Sequence, residues 1–225
     1  MPDHAPDTYS GHVEQGGPAA ARELPHLTIR KQSVGTMDNN AYLLTCRATG
    51  AQLLIDAADD FPRLRALVDE GTGGLDVIVT THSHWDHHRA LVEMAGSTSA
   101  ATAAGAPDAD AIPVPPNVKL REGDAVAVGH AQLQVIALRG HTPGSIALLY
   151  TDPHGHPHLF TGDSLFPGGP GRTTSPQDFS SLMGDLETRV FDVLPDDTWV
   201  YPGHGKDTTL GAERPHLGEW RARGW

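Results

Sequence analysis

Histidine and aspartate carry the chemistry that this sequence could perform. The string Thr81-His82-Ser83-His84-Trp85-Asp86-His87 follows an apolar run at residues 75–80. Side chains alternate along an extended chain, so His82, His84 and Asp86 would share one side there. His87 has the opposite parity and joins only once the chain turns into a helix, which assigns it to a second position. Three more apolar runs end in a potential ligand. Residues 133–138 lead to Gly140-His141-Thr142, residues 159–161 to Gly162-Asp163, and residues 199–201 to Pro202-Gly203-His204. If these runs are strands of packed sheets, their carboxyl ends can converge on one edge and bring the His and Asp side chains into a cleft.

Neutral imidazoles and carboxylates are the usual ligands of hydrolytic zinc. The spacing divides them into His82, His84 and His141 around one metal and Asp86, His87 and His204 around another, with Asp163 bridging. Two cations a few ångströms apart can hold water as hydroxide near neutral pH and polarise a carbonyl or phosphoryl oxygen. Asp86 is also the candidate for orienting that hydroxide. A nucleophilic side chain is then unnecessary. The sequence has no Gly-x-Ser-x-Gly elbow, and Cys46 lies in an apolar run without an adjacent base.

Other residues draw weaker assignments. His88 points away from the string on a helix and is expected to play a structural or supporting role. The stretch His154-Gly155-His156-Pro157-His158 reads as a polar hairpin beside Asp152-Pro153. Arg172, after Gly168-Gly169-Pro170-Gly171, is placed either to clamp a substrate carboxylate or to brace its loop. Lys206 reads as a solvated lysine. Asn39, Asn40 and Trp85 either line the cleft or cap a turn and fill a core. His4, His12 and His26 belong to or border a weakly patterned segment and receive no role.

The elements that must position these residues follow from periodicity. Strands are expected at 27–34, 40–46, 52–56, 75–80, 125–128, 132–138, 145–151, 158–161 and 198–201. Helices are expected at 60–70, 87–95, 176–190 and 212–223, with Gly71 as a stop. Residues 104–117 read as a surface loop. Residues 1–25 are rich in Pro, Gly, Ala and acids and read as a flexible arm, leaving 26–225 as a single domain. Helices should cover the outer faces of stacked sheets, an α/β architecture.

Composition bounds the partners. The chain has 225 residues, 16 Lys plus Arg against 28 Asp plus Glu, and a formal net charge of −12. Such a field repels phosphate backbones and argues against a general nucleic-acid binder. No apolar run approaches the ~20 residues that span a bilayer, so no membrane partner is expected. The start lacks the basic and apolar regions of a secretory signal, and a single cysteine fits a cytoplasmic location. A small-molecule substrate is the expected partner, and a homo-oligomer is compatible with the composition.

The set His82-Ser83-His84-Trp85-Asp86-His87, Gly140-His141-Thr142, Thr161-Gly162-Asp163 and Pro202-Gly203-His204 resembles the metallo-β-lactamase superfamily in order and approximate spacing. The resemblance implies a four-layer αβ/βα sandwich with a binuclear centre at one sheet edge, zinc as the metal at two per chain, and iron or manganese as alternatives. Residues 160–166 and 141–145 look like the glyoxalase II group of thioesterases. Gly171-Arg172-Thr173 and the run from Pro202 to Glu213 are similar to its short, one-domain bacterial members. Glutathione-specific members carry a C-terminal helical domain, whereas about 20 residues follow His204 here, so that route to the thiol is not expected. The expectation is a binuclear metal-dependent thioesterase using a metal-bound hydroxide. The alternatives are a mononuclear iron persulfide dioxygenase, whose ligands would be His82, His141 and Asp163, and a non-catalytic metal-binding protein. The dioxygenase branch usually has alanine where Gly203 stands. β-Lactamases typically lack the Asp86-His87 type of second-site pair.

Overall fold

The computed structural model describes residues 9–153 and 155–224, so His4 and His154 lie outside the described residues. The first sheet runs in chain order through β1 (Ala20–Glu23), β2 (Leu27–Val34), β3 (Asn39–Cys46), β4 (Gln52–Ile55), β5 (Val77–Thr80), β6 (Ala101–Gly105) and β7 (Val118–Leu120). The second is built from β8 (Ala125–Val128), β9 (Ala131–Ala137), β10 (Ile146–Thr151), β11 (Pro157–Gly162), β14 (Trp199–Pro202) and β15 (Thr208–Thr209). Its order is β15-β14-β11-β10-β9-β8. A two-stranded ribbon, β12 (Leu165–Phe166) with β13 (Gly169–Pro170), hangs beyond the end of β11.

Layering follows from strand parity. Central strands are buried on both faces, so neighbouring residues must feed different cores. Leu44, Leu53, Ile55 and Val79 point between the sheets, where they meet Leu133, Leu148, Phe160 and Tyr201. Leu43, Leu54 and Ile78 point outward, against Leu64, Leu67 and Val68 of α1 (Phe61–Glu70) and Leu91 and Met94 of α2 (Leu91–Thr98). On the far side, Leu149, Leu159 and Val200 pack against Leu182, Met183 and Leu186 of α3 (Pro176–Leu186), with α4 (Leu210–Glu213) and α5 (Leu217–Arg223) contributing Leu210 and Trp220. Three cores separate four layers, helix–sheet–sheet–helix, as expected from the sequence. Local signals agree: Asp60 caps α1 by accepting from the Arg63 amide, and Ser175 caps α3 by accepting from the Asp178 amide.

The structure departs from the sequence reading at several points. The helix expected at 87–95 is instead a single 3₁₀ turn at Trp85–His87 followed by α2, because the Arg89 and Ala90 amides are taken by the carbonyls of Ala58 and Ala57. The 104–117 loop begins as the end of β6, and β7 follows it. The expected arm is not free along its described part. Residues 20–23 form β1 against β2, and Tyr9 is buried in the inter-sheet core. Its patterning is weak because it is held by particular side chains rather than by an amphipathic face. The rest of that expectation, residues 1–8, lies outside the described residues.

Candidate metal centre

Strand direction delivers the candidate ligands. The ends of β4, β5, β9, β11 and β14 and the start of β3 all reach the same edge of the sandwich. Backbone hydrogen bonds close that edge: Ile146 N to Thr81 O at 3.0 Å, Asn40 N to Gly203 O at 2.7 Å, and Gly203 N to Gly162 O at 2.8 Å. Gly203 sits in this seam for a steric reason. A Cβ there would lie 2.2 Å from Asp163 Oδ1 and 2.7 Å from His87 Cε1. Glycine leaves both groups room.

All seven residues expected from the sequence meet there. Their donor atoms form three overlapping groups, each within 4.8 Å: His82, His84 and His141; His82, His87 and Asp163; and Asp86, His87 and His204. Two ring nitrogens face each other at 3.2 Å in each half, His82 Nε2 with His84 Nδ1 and His87 Nε2 with His204 Nε2. Asp163 lies between the halves, with Oδ1 3.3 Å from His87 Nε2 and Oδ2 3.5 Å from His204 Nε2 and 3.6 Å from His141 Nε2. Asp86 Oδ2 is 3.3 Å from His204 Nε2 and 3.6 Å from His87 Nε2. The alternation expected along the string holds only for His82 and His84. The 3₁₀ turn then swings Asp86 and His87 together toward the other half.

Outer partners aim the imidazoles. His141 Nδ1 donates to the Arg172 carbonyl at 2.6 Å, and His204 Nδ1 donates to the Met37 carbonyl at 2.9 Å. A carbonyl can only accept, so each Nε2 faces inward and offers a lone pair once its ring is neutral. Asp56 does the same for His87, its Oδ2 lying 2.8 Å from His87 Nδ1. The Thr81 hydroxyl donates to Asp56 at 2.8 Å and receives His82 Nδ1 at 3.0 Å. Asn39 Nδ2 donates to Asp86 Oδ2 at 3.0 Å, and Asn40 Nδ2 donates to the carbonyls of Pro202 and Gly205, so both asparagines hold the site's frame.

Electrostatics favour cations here. Burial opposes charge on His87, but Asp56 and Asp163 override it and raise the imidazolium to about 10. Burial likewise opposes charge on His204, and hydrogen bonds to Asp163 and Asp86 lift it to about 10. His82 moves the other way, held well below its ordinary value by burial and by the neighbouring His87. Burial would raise Asp86 and Asp163. Hydrogen bonds from His204 and Asn39 hold Asp86 down, and the charge of His87 with a hydrogen bond from His204 holds Asp163 well down. Protons thus neutralise a cluster of carboxylates where a divalent cation could do so more completely. The donor set fits such an ion. His141 Nε2 and Asp163 Oδ1 are buried at the centre and make no hydrogen bond among the described residues.

Other assignments resolve by position. His88 bonds the Ser83 carbonyl through Nε2 at 3.1 Å and joins none of the three groups. Arg172 supports the loop through its carbonyl while its side chain is exposed, and Lys206 is exposed. Trp85 fills no core: it is 55% exposed and stacks on the Arg89 guanidinium at 4.5 Å. His158 is not part of a polar surface hairpin. It is fully buried in β11, with Nδ1 2.9 Å from the Tyr201 hydroxyl.

Sequence reasoning missed two carboxylates. Asp56 ends the apolar run of β4 just as the ligands end theirs, and that signal could have found it. Asp108 offered no such signal. It accepts from Ser83 N at 2.8 Å, Thr142 Oγ1 at 2.5 Å and Gly144 N at 2.7 Å, and so joins the His82–His84 and His141 segments.

The sequence model of the metallo-beta-lactamase superfamily matches residues 34–204. A hydroxyacylglutathione hydrolase of Fuscovulum blasticum is 37% identical over 169 residues, covering 74% of this chain and 62% of that protein. The chain therefore spans less than two thirds of that relative's length. Hydroxyacylglutathione hydrolase GloC of Haemophilus influenzae is 32% identical over 181 residues, covering 72% of this chain and 83% of the relative. Among solved structures, ETHE1 from Myxococcus xanthus superposes with a TM-score of 0.74 at 33% identity, over 84% of this chain and 82% of that one. A di-iron-bound form of TTHA1623 reaches 0.67 at 32% identity, over 82% of this chain and 96% of that one.

Proposed function

Because the chain belongs to the metallo-beta-lactamase superfamily, we propose that it is a binuclear metal-dependent hydrolase that cleaves a thioester, as its hydroxyacylglutathione hydrolase relatives are named to do. The carrying observation is the pair of donor groups, His82 with His84 and His141 and Asp86 with His87 and His204, on either side of Asp163. These residues would hold two divalent cations, zinc first, with iron or manganese as alternatives. Bound cations supply Lewis acidity toward an acyl oxygen and lower the pKa of nearby water.

The chain's own groups do the rest. Met37, Arg172, Asp56 and Thr81 fix four rings with Nε2 inward, so little reorganisation is needed at the moment of reaction. Asp86, kept ionised by hydrogen bonds from His204 and Asn39, offers a fixed acceptor that orients the attacking water. Arg172, whose carbonyl holds His141 and whose side chain is exposed, suits a carboxylate on the substrate within a protein of net charge −12. A thiolate leaves readily and asks for no general acid.

A second reading, a mononuclear iron persulfide dioxygenase, draws on the likeness to ETHE1. Gly203 favours the hydrolase, since an alanine Cβ at that position would press on Asp163 and His87. Metal analysis with two assays separates these. Thiol release from S-lactoyl thioesters by protein holding two cations supports the hydrolase. Oxygen uptake on a persulfide with a single iron supports the dioxygenase. Tight metal binding without turnover in either assay leaves a metal-binding protein. The substrate is a small molecule on every catalytic reading, and a cytoplasmic setting suits the single cysteine. Among the described residues no helix is long and apolar enough to cross a membrane.

A further inference from the structure

The loop that carries His204 rests on a buried ion pair. The side chains of Lys31 and Asp207 are both fully excluded from solvent, with Nζ 2.6 Å from Oδ1. An ammonium has three donors, and Lys31 uses them all: on Asp207, on the Gly205 carbonyl at 2.7 Å and on the Gly11 carbonyl at 3.0 Å. Asp207 Oδ2 accepts from the Tyr9 hydroxyl at 2.7 Å and from Trp199 Nε1 at 2.9 Å. The Asp207 amide donates to Gly11 O at 3.0 Å. A Cβ on Gly11 would lie 2.9 Å from Asp207 Cβ, so the chain at residue 11 lies directly on residue 207. His204 is thus bracketed. Gly203 is pinned to Asn40 and Gly162 on one side, and Gly205 and Asp207 are pinned to Lys31 on the other.

Removing two charges from water offsets much of their attraction, so such a pair is a weak source of net stability. Its saturation with partners fixes geometry instead. We propose that Lys31 is a positioning residue for His204. Acting through Asp207 and Gly205, with the Tyr9–Gly11 segment as a strap, it sets where His204 Nε2 stands relative to Asp86, His87 and Asp163. This rests on the two-cation reading, and it predicts that the two halves of the centre depend on different supports.

The test is chelator competition with Zn(II) on the full chain, comparing wild type with the double variant Lys31→Met/Asp207→Leu. The double variant removes both charges and strands no ion in the core. One of two successive dissociation constants should weaken about 10- to 100-fold, as losing a ligand's outer support does. The other should stay within about twofold, as expected of an independent site. No change, or equal weakening of both, overturns the proposal. If circular dichroism shows the double variant unfolded, Tyr9→Phe takes its place. That variant should weaken the same single constant about two- to tenfold, and the absence of a selective change overturns the proposal.

A second readout does not depend on the number of cations. In metal-free protein, the His204 ring resonances should be single in wild type and broadened or doubled in the variant, while those of His141 stay unchanged. Unaltered His204 resonances sink the positioning role even if two cations bind. A wild type that takes up one cation sinks the two-cation reading while this comparison still decides the role of Lys31.

Discussion

Asp56 accepts a hydrogen bond from His87 Nδ1 at 2.8 Å and, through the Thr81 hydroxyl, also supports the ring of His82. One buried carboxylate therefore reaches both halves of the centre without contributing a ligand. Asp56 has φ of 57°, a left-handed conformation that asparagine also tolerates. Asp56→Asn should keep the backbone while losing the charge that fixes the His87 tautomer. Metal affinity should fall about 10- to 100-fold by chelator competition, with little change in far-ultraviolet circular dichroism.

His84 and His88 lie four positions apart and should behave oppositely. His84 Nδ1 faces the centre, whereas His88 serves the Ser83 carbonyl. His84→Ala should strip metal and activity together. His88→Ala should retain most of both, as read by metal content and turnover. Matching losses in the two variants would show that the string is wrongly divided.

Asp108 satisfies three donors from two segments that carry ligands. Asp108→Ala leaves the Ser83 and Gly144 amides and the Thr142 hydroxyl to find new partners. Each buried donor left unpaired costs about 1–3 kcal/mol. Denaturant unfolding should show a loss of that order or more, and the remaining folded protein should bind metal less tightly at the His82, His84 and His141 group.

His158 gives the stability a pH dependence away from the metal centre. Burial, reinforced by His156 and Arg22, depresses it to about 3 from an ordinary value of 6.5. Between those values the unfolded chain binds a proton that the folded one refuses, so stability is lost as pH falls through that window. The contribution is on the order of a few kcal/mol. Urea midpoints measured from pH 7 to pH 4 should fall more steeply for wild type than for His158→Gln.

The candidate ligands were legible because metal chemistry restricts residue types, and because each follows an apolar run whose burial on both faces is itself visible. Parity set His87 apart from His82 and His84 but put Asp86 on their side, whereas the 3₁₀ turn at Trp85–His87 breaks the alternation and turns Asp86 toward His87 and His204. Asp108 and the Lys31–Asp207 pair left no pattern. The partners of Asp108 lie 25 to 36 residues away and Lys31 lies 176 from Asp207, and a lone charge in a sequence looks like any solvated one. The described part of the expected arm, residues 9–25, left no pattern for the same reason: Tyr9 is held by Asp207, not by a repeating apolar stripe. The sequence leaves Trp85 open between cleft and core, and its stacking with Arg89 at the surface leaves no pattern there.

Metal content of the purified protein, measured beside thiol release from an S-lactoyl thioester on the same sample, tests the central claim most directly. The account predicts close to two divalent cations per chain, with turnover that vanishes on chelation and returns on adding metal back. A single cation at saturation, with no thiol released by the reloaded protein, would contradict it.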